Sequence, residues 1–241
     1  MTSKHVLIIP SWYPEKVSDV GGSFFREQAV ALRKRGYKVG VIAPMFRSFR
    51  DVKGIATKKY GTEYQKDEGV DTYRYHTLNL PKLPRFARFR WINIGLKLYK
   101  KYIKKHGIPD VIHVHSMLNG GFLAYEIKRF FDVPYIITEH STAFARGLIS
   151  RPALEAMKTV VDHSSYNIAV SNEFAKLLNK KLDVQSWQYI PNIVNDDFLL
   201  HEFNHLEDNF KFINICLLDK KKKVDVLIQS FARSFKGCEN I

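Results

Sequence analysis

The stretch Gly21-Gly22-Ser23-Phe24-Phe25-Arg26-Glu27-Gln28 sits between a short apolar run, His5 to Pro10, and a helical pattern that closes at Gly36. This stretch constrains the fold more than any other part of the chain. Val6-Leu7-Ile8-Ile9 is short, apolar and partly β-branched, so it reads as a buried strand. From Ser23 to Arg35, Phe24, Phe25, Ala29 and Leu32 fall on one side of a helix and Arg26, Arg33 and Lys34 on the other. Lys38 to Ala43 is the next strand. Strand, glycine loop, helix and strand open a doubly wound α/β sheet. Two glycines before a helix let a ligand approach the backbone, and the helix N–H groups there favour an anion such as a phosphate. The plainer reading of the pair is a turn. No G-x-G-x-x-G follows the first strand, because Pro10-Ser11-Trp12-Tyr13-Pro14 and further polar residues intervene, and no P-loop motif is present.

The alternation of strands and helices continues along the chain. Phe46 to Lys66 is polar and irregular and is expected to cover the sheet edge as a loop. Val70 to His76 alternates and reads as a third strand. Arg85 to His106 carries eight basic residues, no acid, and interleaved aromatics. It reads either as a crossover helix with solvated lysines or as a basic amphipathic helix lying on an anionic bilayer. On the second reading Arg85, Arg88, Arg90 and Trp91 are the expected membrane contacts. Strands follow at Pro109–His115 and Val133–His140, with a helix at Phe122–Phe131 between them. Beyond them lie a helix at Arg151–His163, a strand at Tyr166–Ser171, a helix at Asn172–Lys181 and a strand at Gln188–Asn192. Ligands of parallel sheets gather at the carboxyl ends of the strands, where the glycine loop, His115 and Glu139-His140 all fall. A histidine taken alone there is more often structural. Leu199 to Asn209 is polar and acidic and reads as a linker; Phe210 to Leu218 then begins a new strand and Val224 to Phe235 a helix.

The formal net charge of +14 points to a polyanionic neighbour, which can be a nucleic acid, an anionic membrane face or phosphorylated substrates. No winged, zinc-finger or RNP-type motif accompanies the charge, so nucleic acid is not the expected partner. Cys216 and Cys238 form no metal-ligand pattern and fit a reducing, cytosolic setting. No apolar run approaches the length of a membrane span, so any attachment to a membrane is expected to be peripheral.

The order of segments resembles the N-terminal, acceptor-side half of family 4 retaining glycosyltransferases of the GT-B fold. The residues that carry the resemblance are VLIIPSWYP, GGSFFREQAVALRKRGYKVGVIAP, PDVIHVHS, VPYIITEHS, YNIAVSNEFAKLL and YIPNIVNDDFL. The tail INICLLDKKKKVDVLIQSFARSF resembles the opening of the nucleotide-binding half. The resemblance implies a Rossmann-like domain over residues 1–200, a linker over 201–209, and the first strand–helix unit of an incomplete second Rossmann-like domain over 210–241.

It also implies a reaction: transfer of a sugar from a nucleotide-sugar donor to a glycan or lipid-linked acceptor, with retention, in cell-envelope or capsular polysaccharide synthesis. By that carry-over Gly21, Gly22 and Lys222 face the donor diphosphate, His140 and Glu139 are catalytic, and His115, Ser116 and Asn192 lie toward the acceptor. No metal and no cofactor beyond the donor is implied. The expected location is cytoplasmic, peripheral at the inner face of the cytoplasmic membrane. The family's Gly-Arg and Lys-Gly positions hold Cys216-Leu217 and Lys222-Lys223 here, and the family's acidic pair that holds the donor falls beyond residue 241. The expectation is therefore that this chain alone turns over little substrate. The competing reading is a non-catalytic module that binds a membrane or a partner chain carrying the missing half.

Overall fold

The computed structural model describes residues 3–48, 60–79, 84–194, 212–216 and 218–237, with the side chains of Pro84, Arg85 and Lys221 left aside. Contacts divide the chain into two compact units, Met1–Val194 and Asn195–Ile241.

The first unit is a single eight-stranded sheet. Its strands are β1 (His5–Pro10), β2 (Lys38–Arg47), β3 (Gly61–Asp67), β4 (Val70–Leu78), β5 (Val111–His115), β6 (Tyr135–Glu139), β7 (Tyr166–Ala169) and β8 (Trp187–Tyr189). Its helices are α1 (Ser23–Lys34), α2 (Pro84–His106), α3 (Gly120–Phe131), α4 (Arg151–Asp162) and α5 (Asn172–Leu182). The strand order is β3-β4-β2-β1-β5-β6-β7-β8. All neighbours are parallel except β3, which runs antiparallel to β4. This is the doubly wound, Rossmann-like sheet read from the sequence.

β1 shows why the sheet needs cover on both faces. It is buried along its whole length, and its side chains alternate between faces. Val6 and Ile8 pack with Phe25, Ala29 and Val30 of α1. Leu7 and Ile9 join the larger core formed under α2, α3, α4 and α5. After β4 the chain crosses back over the sheet through α2 and inserts β5 on the other side of β1. The direction of winding thus reverses between β1 and β5, and a crevice opens there at the carboxyl ends.

Two expectations are corrected. The stretch read as an irregular edge loop contains the last residues of β2 and the strand β3; residues 49–59 lie outside the described residues. β3 reads GTEYQKD and is exposed along most of its length, so it lacks the apolar alternation that marks a strand in sequence. The strand expected at Phe210–Leu218 is the second correction. Phe212–Cys216 and Leu218 belong to no strand, and the neighbouring residues 210, 211 and 217 are not described.

In the second unit a 3₁₀ turn, Lys220–Lys222, precedes α6 (Val224–Ser234). Phe212, Phe231 and Phe235 pack their rings together at 4.7–5.3 Å, yet α6 buries no residue. Among the described residues of this unit, one helix and an unpaired segment enclose no core. The expected linker, 201–209, lies outside the described residues.

Candidate functional site

The crevice between β1 and β5 is built by backbone first. Ser11 N–H donates to His115 O at 2.9 Å, carrying the β1–β5 pairing one residue past the strand. Ser11 Oγ then accepts the N–H groups of Asn119 at 3.2 Å and Gly120 at 3.1 Å, which caps the start of α3. A Cβ on Gly120 would lie 2.8 Å from Ile9 O, so only glycine lets α3 begin this close to β1.

The glycine loop forms the next wall. Gly22 is the N-cap of α1 and adopts φ 83°, a left-handed conformation that favours glycine. No side chain caps this helix end and no acid occupies its first turn; the Ser23 and Phe25 N–H groups donate to Val20 O and Gly22 O, so the dipole, more than free N–H groups, makes this end favourable to an anion. Phe24 and Phe25 follow at once. The Phe25 ring is 5.1 Å from Trp12, 4.8 Å from His115 and 5.0 Å from His140, and Phe24 is 5.0 Å from His140. The aromatic start of α1 therefore lies against the imidazole that ends β6.

That imidazole belongs to a chain of three. His113 Nε2 lies 2.8 Å from Thr138 Oγ1, the His113 and His115 rings are 4.3 Å apart, and His115 Nδ1 is 3.2 Å from His140 Nε2. Burial pushes His113 and His140 down to about 4, and His115 well below its ordinary value. All three rings are neutral at pH 7. Glu139 is wholly buried behind them. Its Oε2 accepts the Met117 N–H at 2.8 Å, and its Oε1 accepts those of His140 at 2.9 Å and Ser141 at 2.7 Å. Burial raises its pKa while these donors pull the other way. Ser116 next to it takes the left-handed φ of 64°.

A cleft of about 480 Å³ opens on the other side of Trp12. Ser11, Trp12, Phe46, Asn79, Arg88, Trp91 and Asn119 are among its lining residues. Trp12 is 38% exposed, so its indole borders both the cleft and the Phe25–His140 cluster.

Several expected site residues prove to have other positions. Gly21, Gly22, His115, Ser116, Glu139 and His140 do converge on one edge. Glu139, however, is buried and engaged by three backbone donors, so it orders the loops rather than meeting a substrate. His115 and Ser116 are also fully buried and form no acceptor-facing surface. Asn192 is exposed beyond β8. Lys222 is exposed in the second unit.

The membrane set changes most. Trp91 is only 4% exposed and packs in the core, because helical spacing turns it toward the sheet. Arg90 donates to Leu78 O and Thr77 Oγ1, and the Arg88 guanidinium lies 4.4 Å from the Phe122 ring centroid. The Arg85 side chain is outside the described residues. Ser11, Trp12, Phe24 and Phe25 join the site beyond the residues the sequence pattern marks for it. Their signal was present in Pro10-Ser11-Trp12 directly after β1, where the switch point puts ligands.

Residues 21–198 match the profile described as Glycosyltransferase Family 4. No curated protein sequence matches the chain. Among solved structures, the N-terminal domain of Candida albicans trehalose-6-phosphate phosphatase aligns over 98% of this chain and 55% of its own, at 11% identity and TM-score 0.53. The OtsA apo structure aligns over 81% of this chain and 51% of its own, at 8% identity and TM-score 0.52. A structure described as trehalose-6-phosphate from E. coli bound with UDP-2-fluoro glucose aligns over 80% and 50%, at 8% identity and TM-score 0.51. At such identities the likeness is one of fold. The chain spans about half the length of the structures it matches.

Proposed function

The chain belongs to glycosyltransferase family 4, and from that premise we propose that it forms the acceptor-side half of a retaining transferase. The donor is a nucleotide sugar and the acceptor a glycan or lipid-linked sugar of envelope polysaccharide assembly. The observation that carries this reading is the contact of the uncapped α1 start with His140 at the switch point, with ring centroids 5.0 Å apart.

Each part has a chemical task in that reading. Transfer breaks the bond between the anomeric carbon and the diphosphate oxygen and forms one to an acceptor hydroxyl oxygen, whose proton passes to the departing diphosphate. Charge grows on the departing diphosphate, where the positive end of the α1 dipole after Gly21-Gly22 stabilises it. His140, neutral at pH 7, offers a hydrogen bond to the sugar without competing as a cation. Glu139 holds the turn that carries His140. The cleft beside Trp12 takes the acceptor, since an indole face suits the apolar face of a sugar ring. The neighbour bound to UDP-2-fluoro glucose agrees with a nucleotide-sugar donor. Titration with UDP-, GDP- and ADP-sugars, followed by amide shifts, tests the reading. Perturbations centred on Gly21–Phe25 and His140–Ser141 are expected, and a folded chain showing none there removes the donor-facing role given to these residues.

A second surface is favoured by exposure. Phe86, Phe89, Asn93, Lys97, Lys100 and Lys104 follow helical spacing along α2, and the two phenylalanines are 47% and 63% exposed. Aromatics at one end and lysines along the stripe fit an anionic bilayer. No helix of the described residues is long and apolar enough to cross a membrane. Replacing Phe86 and Phe89 by serine is expected to reduce sedimentation with anionic vesicles. Unchanged sedimentation removes the idea.

A further inference from the structure

His115 and His140 share a hydrogen bond but leave one proton without a protein acceptor. His115 Nδ1 and His140 Nε2 lie 3.2 Å apart. The outer nitrogens, His115 Nε2 and His140 Nδ1, are buried and have no hydrogen-bond partner among the described residues. Each neutral imidazole carries one N–H and one lone pair. One proton of the pair therefore bridges the rings, and the other sits on one of the outer nitrogens.

The two arrangements differ in where they leave an unmatched donor. If His140 Nε2–H donates, the second proton lies on His115 Nε2. That ring is completely buried, between His113 at 4.3 Å and Phe25 at 4.8 Å. If His115 Nδ1–H donates, the second proton lies on His140 Nδ1, on a ring that keeps some exposure at the carboxyl edge. A buried N–H without a partner is rarer and more costly than an under-used lone pair. His140 keeps partial exposure at the carboxyl edge, whereas His115 is fully buried, so the arrangement that puts the unmatched donor on His140 is the less costly one.

We infer that His115 is a positioning residue, which holds His140 as its Nδ1–H tautomer and so makes it a hydrogen-bond donor to a substrate oxygen. That the oxygen is a sugar hydroxyl rests on the glycosyl-transfer reading; the tautomer does not. Phe24 and Phe25 keep the ring in this plane from the other side. A neutral donor of this kind strengthens as charge develops on the oxygen it faces.

Two-bond ¹H–¹⁵N correlation of the ¹⁵N-histidine-labelled 241-residue chain at pH 7 reads the tautomer directly. The His140 pair of signals is identified by its loss in His140→Gln. The expected wild-type pattern is a protonated Nδ1 and an unprotonated Nε2. In His115→Leu the pattern inverts to the Nε2–H form, while His115→Asn, whose side-chain amide donates from a similar place, preserves it. A merely structural His115 would not move the tautomer. A wild-type His140 carrying its proton on Nε2 overturns the inference, and so does an unaltered pattern in a folded His115→Leu. If the leucine variant does not fold, the wild-type spectrum and His115→Asn still decide. Failure of the transfer reading looks different: the tautomer stands, but nucleotide sugars leave the His140 signals unmoved.

Discussion

Arg26 and Asp67 form a two-point ion pair across 41 residues of sequence, with Nε–Oδ2 at 2.5 Å and Nη2–Oδ1 at 2.7 Å. It ties the first turn of α1, directly after the glycine loop, to the end of β3. Both side chains are nearly buried, at 13% and 10% exposure, and Arg26 Nη2 also reaches Glu68 at 2.9 Å. Asp67, at the end of β3, thus fixes where the helix start points. Removing the arginine alone leaves a nearly buried carboxylate without its main partner, which costs about 3 kcal/mol. Arg26→Leu is expected to destabilise by that order in urea unfolding, and Arg26→Leu/Asp67→Leu by less than the sum of the single changes. Additive losses would show that the pair does not couple these elements.

Gly40 and Tyr102 make a steric lock between β2 and α2. A Cβ at position 40 would sit 2.2 Å from the Tyr102 hydroxyl and 2.3–2.4 Å from its ring atoms. Both residues are buried, and the hydroxyl is held at 2.6 Å from His5 Nε2. The ring therefore cannot swing away cheaply. Gly40→Ala is expected to lower stability by about 3 kcal/mol through overpacking. Gly40→Ala/Tyr102→Leu should recover part of that loss, since the shorter side chain vacates the space. A Gly40→Ala protein as stable as wild type would count against this packing.

The contrast between these contacts and the sequence shows what was legible. Val6–Ile9 is buried on both faces and Tyr135–Thr138 is buried except for a partly exposed Ile136, so their apolar content marks them as strands and their order gives the doubly wound sheet. β3 was not legible because an exposed edge strand is selected for polarity, and its partner β4 supplies the pairing. The carboxyl-edge cluster was legible as a place but not as a set of roles. Which of Glu139, His115 and His140 meets a ligand depends on burial across three elements, and no local pattern encodes it. Trp91 likewise reads as interfacial in a basic stretch, yet the helix phase turns it inward.

The buried histidines set a pH dependence. In the folded state burial brings His113 and His140 down to about 4 and holds His115 well below its ordinary value, whereas unfolded histidine titrates near 6.5. Above pH 6.5 neither state binds the extra protons and stability is full. As pH falls below 6.5 the unfolded chain takes up protons that the folded chain refuses, so stability drops until the folded values are passed. The slope approaches about 1.4 kcal/mol per pH unit for each such histidine. Glu139, raised by burial, acts in the opposite sense, but it is one group against three. Urea midpoints are expected to decline steadily from pH 6.5 to 4. His113→Phe should flatten the decline, and a flat wild-type profile would refute the argument.

Gly21 and Gly22 should separate binding from stability. A Cβ on Gly21 meets nothing within 4 Å. One on Gly22 meets Trp12 Cδ1 at 3.2 Å and sits on a residue with φ 83°. Gly22→Ala is expected to cost about 1–2 kcal/mol in strain, whereas Gly21→Ala should stay within about 0.5 kcal/mol of wild type. If an anion is held against this loop, Gly21→Ala still weakens nucleoside-diphosphate affinity by crowding it. Equal thermal stability of the two variants would show that the left-handed turn is not demanding. Unchanged affinity in Gly21→Ala would move the anion elsewhere.

Glu139→Gln tests how the His140 turn is held. The carboxylate accepts the Met117 N–H on one oxygen and those of His140 and Ser141 on the other. A glutamine has one oxygen and an amide nitrogen that donates. Whichever way it turns, its NH₂ faces at least one backbone N–H. The less costly orientation keeps the oxygen on the His140–Ser141 side and confronts Met117, so one buried N–H loses its partner. That loss is expected to cost about 2 kcal/mol, offset in part because no charge is now buried. The local signature is sharper than the global one. Amide hydrogen exchange at Met117 should quicken well beyond that at His140 and Ser141, and the His115–His140 bond should persist. Faster exchange at His140 and Ser141 instead would mean the amide is flipped, leaving the turn that carries His140 loose. No change at any of the three would mean that Glu139 does not hold these loops.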